Sequence, residues 1–547
     1  IGVSNNAYTD GQTATIQVLG AIDDAQSGLT AGQKYFVQSD GSLGLSPDTI
    51  PVAAGTAVSA TQLLISPEFD AEDKTSPSTQ LVANGALSNG TKVCVNADGT
   101  VSAIAETSVT ASTGSATTWA NVNSTYNQGA YDSYNKKVVF VYVDGTNSDY
   151  GKAVVGTVSG SSITFGTPVT FNSATTSNTK IIYDENAQKL VVLFDTGHST
   201  YNAKAIVGTV SGTSISFGSA VTFHAASTSH MNGMYDPDAQ KIIVGYKKNS
   251  NNNGVIIVGT VSGTSISFGS ENVFDDNARE ISIGYDQNTQ KHLIVYADNG
   301  NSLFGTAKVG TLSGTSMSFG SATVFESAQM SNPSTVYEPT AQKLVINYTD
   351  YGNSGTGTSV VATISGTSVT FGSAATFNTG GTYRISAVYH AAAAKIVIAF
   401  QDGGNSSNPT IVEGTVSGTS ISFANETSLA SVTGNYVSQV YDSTNKVSVV
   451  GYYDGSNSGY GTAVVRLTSY LDQNLTATNY IGISDAAYSD GATATIQVAG
   501  AVDDAQSGLT AGQLYYVQND GTLSTTADSP SVIAGTAISA TKLIVKG

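Results

Sequence analysis

Six aspartates recur at one place in a repeating pattern: Asp144, Asp195, Asp298, Asp350, Asp402 and Asp454 open runs such as DGTNSDYG, DTGHSTYN and DGGNSSNP. One further copy of the pattern carries Lys247 instead. Carboxylates and amides gathered in a ring would offer oxygen ligands to Ca2+, a hard cation that takes about six to eight of them. The competing reading is that Asp and Asn at the head of a turn bond their own backbone. The spacing does not match the D-x-[DN]-x-[DN]-G calcium loop, so the turn reading is the stronger. Aromatic residues share these loops: Tyr150, Tyr201, Phe304 and Tyr460, with Trp119, the single tryptophan, in the connector ahead of the first copy. Aromatic faces beside Asn and Asp suit sugar binding. An aromatic at a strand start also packs on its neighbours, and that reading is favoured over the sugar site.

Acid–base chemistry has one candidate stretch, FDDNARE, from Phe274 to Glu280. Asp275, Asp276 and Glu280 could supply the paired carboxylates of a glycoside hydrolase. Arg279 and Arg384 both precede a strand and could reach a shared axis, whereas Arg466 lies within a strand. A solvated charged loop is the simpler account, and no catalytic residue is assigned. His198, His224, His230, His292 and His390 fall at different places in the pattern, and His224 and His230 lack an adjacent carboxylate motif, so a zinc site is not expected. Asn89, Asn123 and Asn474 begin N-x-[ST] triplets, which arise easily in so Asn- and Ser-rich a chain.

Composition narrows the function classes. Charged residues make up 11% of 547, yet the net charge is −18. That balance excludes phosphate-directed nucleic-acid binding. One cysteine, Cys94, excludes an internal disulfide framework, and its simplest role is a small buried strand residue. No apolar run approaches the ~18 residues needed to span a bilayer as a helix, so membrane insertion is not expected. The first residue is Ile1, which points to processing or to a longer product.

What positions these loops is a repeat. A tyrosine followed by a turn and usually a lysine recurs at Tyr131, Tyr183, Tyr235, Tyr285, Tyr337, Tyr389 and Tyr441, as in YDENAQK and YDPDAQK. Each unit reads as four strands: one ending at the tyrosine, one like KLVVLF, one like AIVGTV, and one like SISF after an S-G-T-S turn. The phrase VGTVSGTSISFGS occurs twice word for word, at 207–219 and 258–270. A four-stranded meander of this length is a propeller blade, and seven units predict an all-β, seven-bladed β-propeller. The last unit lacks its fourth strand, whereas DGTVSAIAETSV, at 98–109, stands alone upstream. That segment is expected to close the ring as the outer strand of the seventh blade.

The chain ends are duplicated. IGVSNNAYTDGQTATIQV at the start matches IGISDAAYSDGATATIQV from Ile481, offset by 480. Two homologous small β modules are therefore expected, at 1–66 and 481–547. Between them lie a linker and lead-in hairpin at 67–96, the propeller at 97–473, and a linker at 474–480.

The TVSGTSISFGS blades, the lead-in LSNGTKVCVNADGTVSAI and the end module SGLTAGQLYYVQNDGTLS together resemble tail-fibre and other virion structural proteins of marine and freshwater bacteriophages, and related environmental sequences. The likeness covers nearly the whole chain. It implies a virion or extracellular assembly and supplies no catalytic residue. The expected protein is a non-enzymatic subunit of an extracellular fibre or virion appendage, joined to copies of itself through its terminal modules. The propeller would attach to host or glycan. A glycan-binding adhesin and a polysaccharide-degrading enzyme are the alternatives. No cofactor beyond the candidate Ca2+ ring is expected.

Overall fold

A computed structural model describes residues 3–4, 6–18, 21–47, 52–65, 77–197 and 201–546. The chain divides into two compact units, residues 108–471 and residues 1–107 with 472–547.

Residues 108–471 form an all-β propeller. Its strands fall into seven successive antiparallel groups, each built around a second strand such as Lys137–Asp144, Lys189–Thr196 or Lys395–Asp402. These second strands are apolar runs because both their faces are covered. Side chains alternate across a strand. Val139 and Val141 accordingly pack with Leu190 and Val192 of the next group, while Val138, Phe140 and Tyr142 pack with Val440 and Val449 of the seventh.

The repeated phrases have local causes. The S-G-x-S hairpin needs a first central residue with positive φ, and Gly160, Gly212 and Gly263 supply it at 58°, 60° and 58°. The anchor tyrosine reaches back to the preceding turn. Tyr183 Oη accepts from Tyr134 N at 3.3 Å, and Tyr235 Oη accepts from Asn186 N at 3.3 Å. Tyr131 Oη donates to Thr444 Oγ1 at 2.6 Å and so joins the first group to the seventh. Neighbouring groups are also stitched by shared strands. In Val169–Asp184 the first half pairs with Tyr150–Ser159 and the second with Lys189–Thr196, so one strand edges one blade and opens the next.

Ring closure uses this device rather than the segment expected from sequence. The third strand of the last group, Tyr460–Leu467, is edged by Ser112–Thr113 and by residues 117–123 of the strand Thr117–Asp132. Within 98–109, Val101–Ala103 pairs instead with Lys92–Val95, and Ile104 is buried beside Leu475 and Ile483. The sequence aligned Ile104 with the repeat's phenylalanine, but local alternation alone cannot say which neighbouring strand a segment will join.

In the other unit, the two terminal copies carry five-stranded sheets of matching order. One runs 22–23, 63–64, 52–57, 34–37, 43–44, and the other 502–503, 543–545, 532–537, 514–517, 523–524. The lead-in is not a free linker beyond residue 77. Ser78–Val82 and Lys92–Val95 flank the hairpin of Tyr480–Ser484 and Thr493–Gln497. Residues 66–76 of the expected linker lie outside the described residues. Cys94 is buried in the core of this unit, and burial pushes its thiol pKa up.

Candidate functional site

Each first strand of the propeller breaks register near its start, between Thr125 and Gln128, Ser177 and Lys180, Ser229 and Asn232, and likewise around the ring. Every break holds one residue in the left-handed region: Tyr126, Asn178, His230, Glu280, Asn332, Arg384 and Tyr436, with φ between 47° and 53°. Few non-glycine residues adopt this conformation, and it persists where the surroundings impose it. All seven line a single axial cavity of about 330 Å³, together with Gln128, Lys180 and Asn232. Each stands five residues before its anchor tyrosine. The anchor tyrosine recurs in every unit, whereas the stretch before it varies. Here the blades carry Tyr, Asn, His, Glu, Asn, Arg and Tyr.

Neighbouring blades hold these side chains in place. The Tyr126 and Tyr436 rings lie 5.2 Å apart, and the Arg384 guanidinium sits 4.8 Å from the Tyr436 ring centre. Arg384 Nε donates to Asn435 Oδ1 at 3.0 Å. His230 Nδ1 lies 3.3 Å from Glu280 Oε1, and Glu280 Oε2 accepts from Asn332 N at 3.2 Å. Lys180 Nζ donates to Gln128 Oε1 at 3.2 Å. Deeper along the axis the serines tie blade to blade, with Ser282, Ser334 and Ser386 accepting from Thr335 N, Ala387 N and Gln439 N.

The cavity gathers cationic charge in an acidic chain: Lys180 and Arg384 stand against one carboxylate, Glu280. Burial, and then the charge of Arg384, lower the Lys180 pKa to about 8 against a partial opposing pull from Glu280. Burial opposes ionisation of Glu280, but His230, the Asn332 amide and Arg384 outweigh it and hold the carboxyl below its usual range. Such a cavity can bind a small polar ligand bearing negative charge, with tyrosine faces and amides to orient it.

The residues expected from sequence to bind sugar are not assembled. Trp119 is 4% exposed and stacks on Phe140, centroids 4.8 Å apart and planes 8° apart. It holds the place taken by Phe171, Phe223 and Phe377 in later repeats, each of which meets two aromatic rings. Tyr150, Phe304 and Tyr460 are half-buried at the starts of third strands in different blades, and Tyr201 is exposed. None of the five lines the axial cavity.

The six aspartates of the expected calcium ring make separate, local contacts. Asp144 accepts from Thr146 N and Oγ1 and pairs with Lys152, while Asp195 accepts from Asn178 and Thr228 side chains. Asp298, Asp350, Asp402 and Asp454 accept from backbone amides of their own turns. Among the described residues, no three His, Cys, Asp or Glu side chains gather as a metal site. Asp298 caps its short 3-10 turn, so Asp298→Ala should cost about 1 kcal/mol. Chelator should leave the melting temperature of the parent chain unchanged in the same calorimetric series.

The hydrolase stretch is divided. Glu280 enters the axial cavity, whereas Asp275 accepts from Tyr296 Oη at 2.9 Å and lies 3.5 Å from Lys308 Nζ. Arg384 reaches the axis; its counterpart two repeats earlier is Glu280, not Arg279. Arg466 donates to Thr113 at the closure strand. Both connector histidines do have carboxylates, each from the following repeat: His224 meets Glu271 at 2.7 Å, as His230 meets Glu280. His198 lies outside the described residues. The axial ring was missed because the stretch before the anchor tyrosine differs from unit to unit and offers no shared motif; what its members share is a backbone conformation and a fixed offset from that tyrosine.

No protein-family model matches the chain, and no curated protein sequence does. Among solved structures, the chain is similar to the β-propeller domain of Cps50 (Swd1) from Myceliophteria thermophila, at 7% identity and TM-score 0.43, over 64% of this chain and 99% of that one. It is also similar to a leech intramolecular trans-sialidase, at 10% identity and TM-score 0.38, over 64% of this chain and 68% of that one. The structure of YjhT matches at 10% identity and TM-score 0.39, over 56% of this chain and 100% of that one.

Proposed function

We propose that the protein is a non-enzymatic binding subunit of an extracellular fibre or virion appendage, and that its propeller takes an acidic sugar in the axial cavity. One observation carries this reading: seven left-handed residues, one from each blade and Arg384 among them, line one cavity together with Lys180. Sites for small molecules begin at about 300 Å³, which makes the cavity one of monosaccharide size. Carboxylate recognition favours a planar guanidinium, aromatic faces suit the sugar ring, and the amides of Asn178, Asn232 and Asn332 suit its hydroxyls. Glu280 is the one carboxylate among the residues that line the cavity, which favours binding over hydrolysis by paired carboxylates.

The test is a glycan array scored for acidic against neutral sugars, followed by calorimetric titration of the best hit. Selective retention of carboxylated glycans is expected. Equal retention of neutral and acidic glycans, or none, would overturn the reading. Affinity should also depend on pH. Lys180 is protonated below its lowered pKa of about 8 and loses its charge above it, so anion binding should weaken as pH rises through that value. Titrations at pH 7 and 9 at constant ionic strength measure this, and the Lys180→Met variant should lose the dependence.

A further inference from the structure

The two terminal copies are alike in sequence and unlike in surroundings. In the second, the hairpin of Tyr480–Ser484 and Thr493–Gln497 is flanked on both edges, by Lys92–Val95 and by Ser78–Val82. A bridge between Ala83 and Val101 brings the outer strands of that sheet together. In the first copy, Val3–Ser4 pairs with Ile16–Gln17, and among the described residues no further strand joins them. The side chains register the difference. Ile496 is 0% exposed and packs with Val93 and Val101, whereas Ile16, its equivalent, is 49% exposed. Ala494 is buried and Ala14 is exposed.

The polar contacts made to the flanking segment also have counterparts. In the second copy Ser484 Oγ accepts from Thr91 N at 3.1 Å, and Asp490 Oδ1 accepts from Gly85 N at 2.8 Å. Gln506 Oε1 accepts from Lys92 Nζ at 3.3 Å, and its amide donates to Gly90 O at 2.9 Å. Asp503 and Asp520 attract the Lys92 ammonium. The first copy keeps the same residue types at all five positions, as Ser4, Asp10, Gln26, Asp23 and Asp40. A module built to hold a flanking hairpin thus presents its apolar floor, at Ala14 and Ile16, with no such hairpin among the described residues.

We propose that the first copy receives an extended β-hairpin of the 78–103 type from another polypeptide, with alternating apolar residues facing Ala14 and Ile16 and a lysine directed at Gln26. The chain's own segment is already seated on the second copy, so the occupant comes from a different chain. Exposed strand edges are templates for such addition, in which main-chain hydrogen bonds give affinity and alternate side chains give selectivity. Two equivalent receptors, one filled within the chain and one open among the described residues, make each subunit a link that can accept the next component. This inference is independent of the axial cavity.

The test titrates a fluorescent peptide spanning residues 77–105 into the full-length chain, read by anisotropy and by hydrogen exchange. Saturable binding is expected, with slowed exchange at residues 3–17. Ile16→Asp should weaken it by at least about tenfold, as should Lys92→Glu in the peptide. Ile16 is exposed in the free chain, so the substitution leaves folding intact, which the unchanged melting temperature of the variant will show. Three results would each overturn the proposal: no binding, unaltered affinity for Ile16→Asp, or protection confined to 480–497, which would mean exchange with the resident segment.

Discussion

Trp119→Ala should destabilise the propeller by about 3–5 kcal/mol, the cost of removing a large aromatic from a closed core. The indole fills a site with no room to collapse. It stacks on Phe140, meets Phe165 at 5.9 Å, and covers Gly461, where an added Cβ would fall 2.2 Å from ring atoms. It also stands on the strand that edges the last group, where Thr118 pairs with Thr462 and Ala120 with Gly461. Its loss therefore loosens the closure of the ring as well as one blade contact. Trp119→Phe should cost less than about 1.5 kcal/mol, as volume-tolerant apolar exchanges do. Phe171, Phe223, Phe274, Phe325 and Phe377 already serve this place, and the change removes an indole N–H that is buried without a partner. Urea unfolding measures both. Glycan retention by folded Trp119→Ala should equal that of the parent. Selective loss of retention at full stability would restore Trp119 to a binding role.

Arg384→Gln should weaken binding of an acidic sugar by about 1.5–3 kcal/mol, the usual worth of hydrogen bonds to a charged group. That is roughly a ten- to hundredfold rise in Kd. Arg384 is held for this task by Asn435 and by the Tyr436 face, and it is exposed rather than part of the packed core. Glu280→Gln should act in the opposite sense and tighten the same ligand, because it removes the carboxylate that opposes an anion in the cavity. Calorimetric titration of the two variants reads the sign directly. Weakening by both, in folded protein, would mean that the ligand is not anionic.

The repeat was legible because every blade must meet the same kind of neighbour. Alternation in KVVFVYVD divides Val139 from Phe140 onto two faces, and glycine in S-G-x-S is required by the sign of φ. The chemistry was less legible. Five of the six conspicuous aspartates accept from their own turns, Asp195 bonds Asn178 and Thr228, and the conspicuous tryptophan is core, since shared features of a repeat answer to shared structural needs. The axial ring is written in residues that do not match: Tyr126, His230, Glu280 and Arg384 look unrelated until a register break rotates each toward one axis.

The sequence by itself determined the all-β repeat, its period, the hairpin turns and the duplication of the ends, because these depend on side-chain alternation and backbone preference within a few residues. Tertiary structure alone decided which segment closes the ring, that residues 78–103 join the second terminal copy, and that seven side chains of five types share a cavity. Strand pairing is non-local: the same alternating apolar pattern satisfies many edges, and the choice among them falls to packing, buried polar contacts and chain geometry acting together.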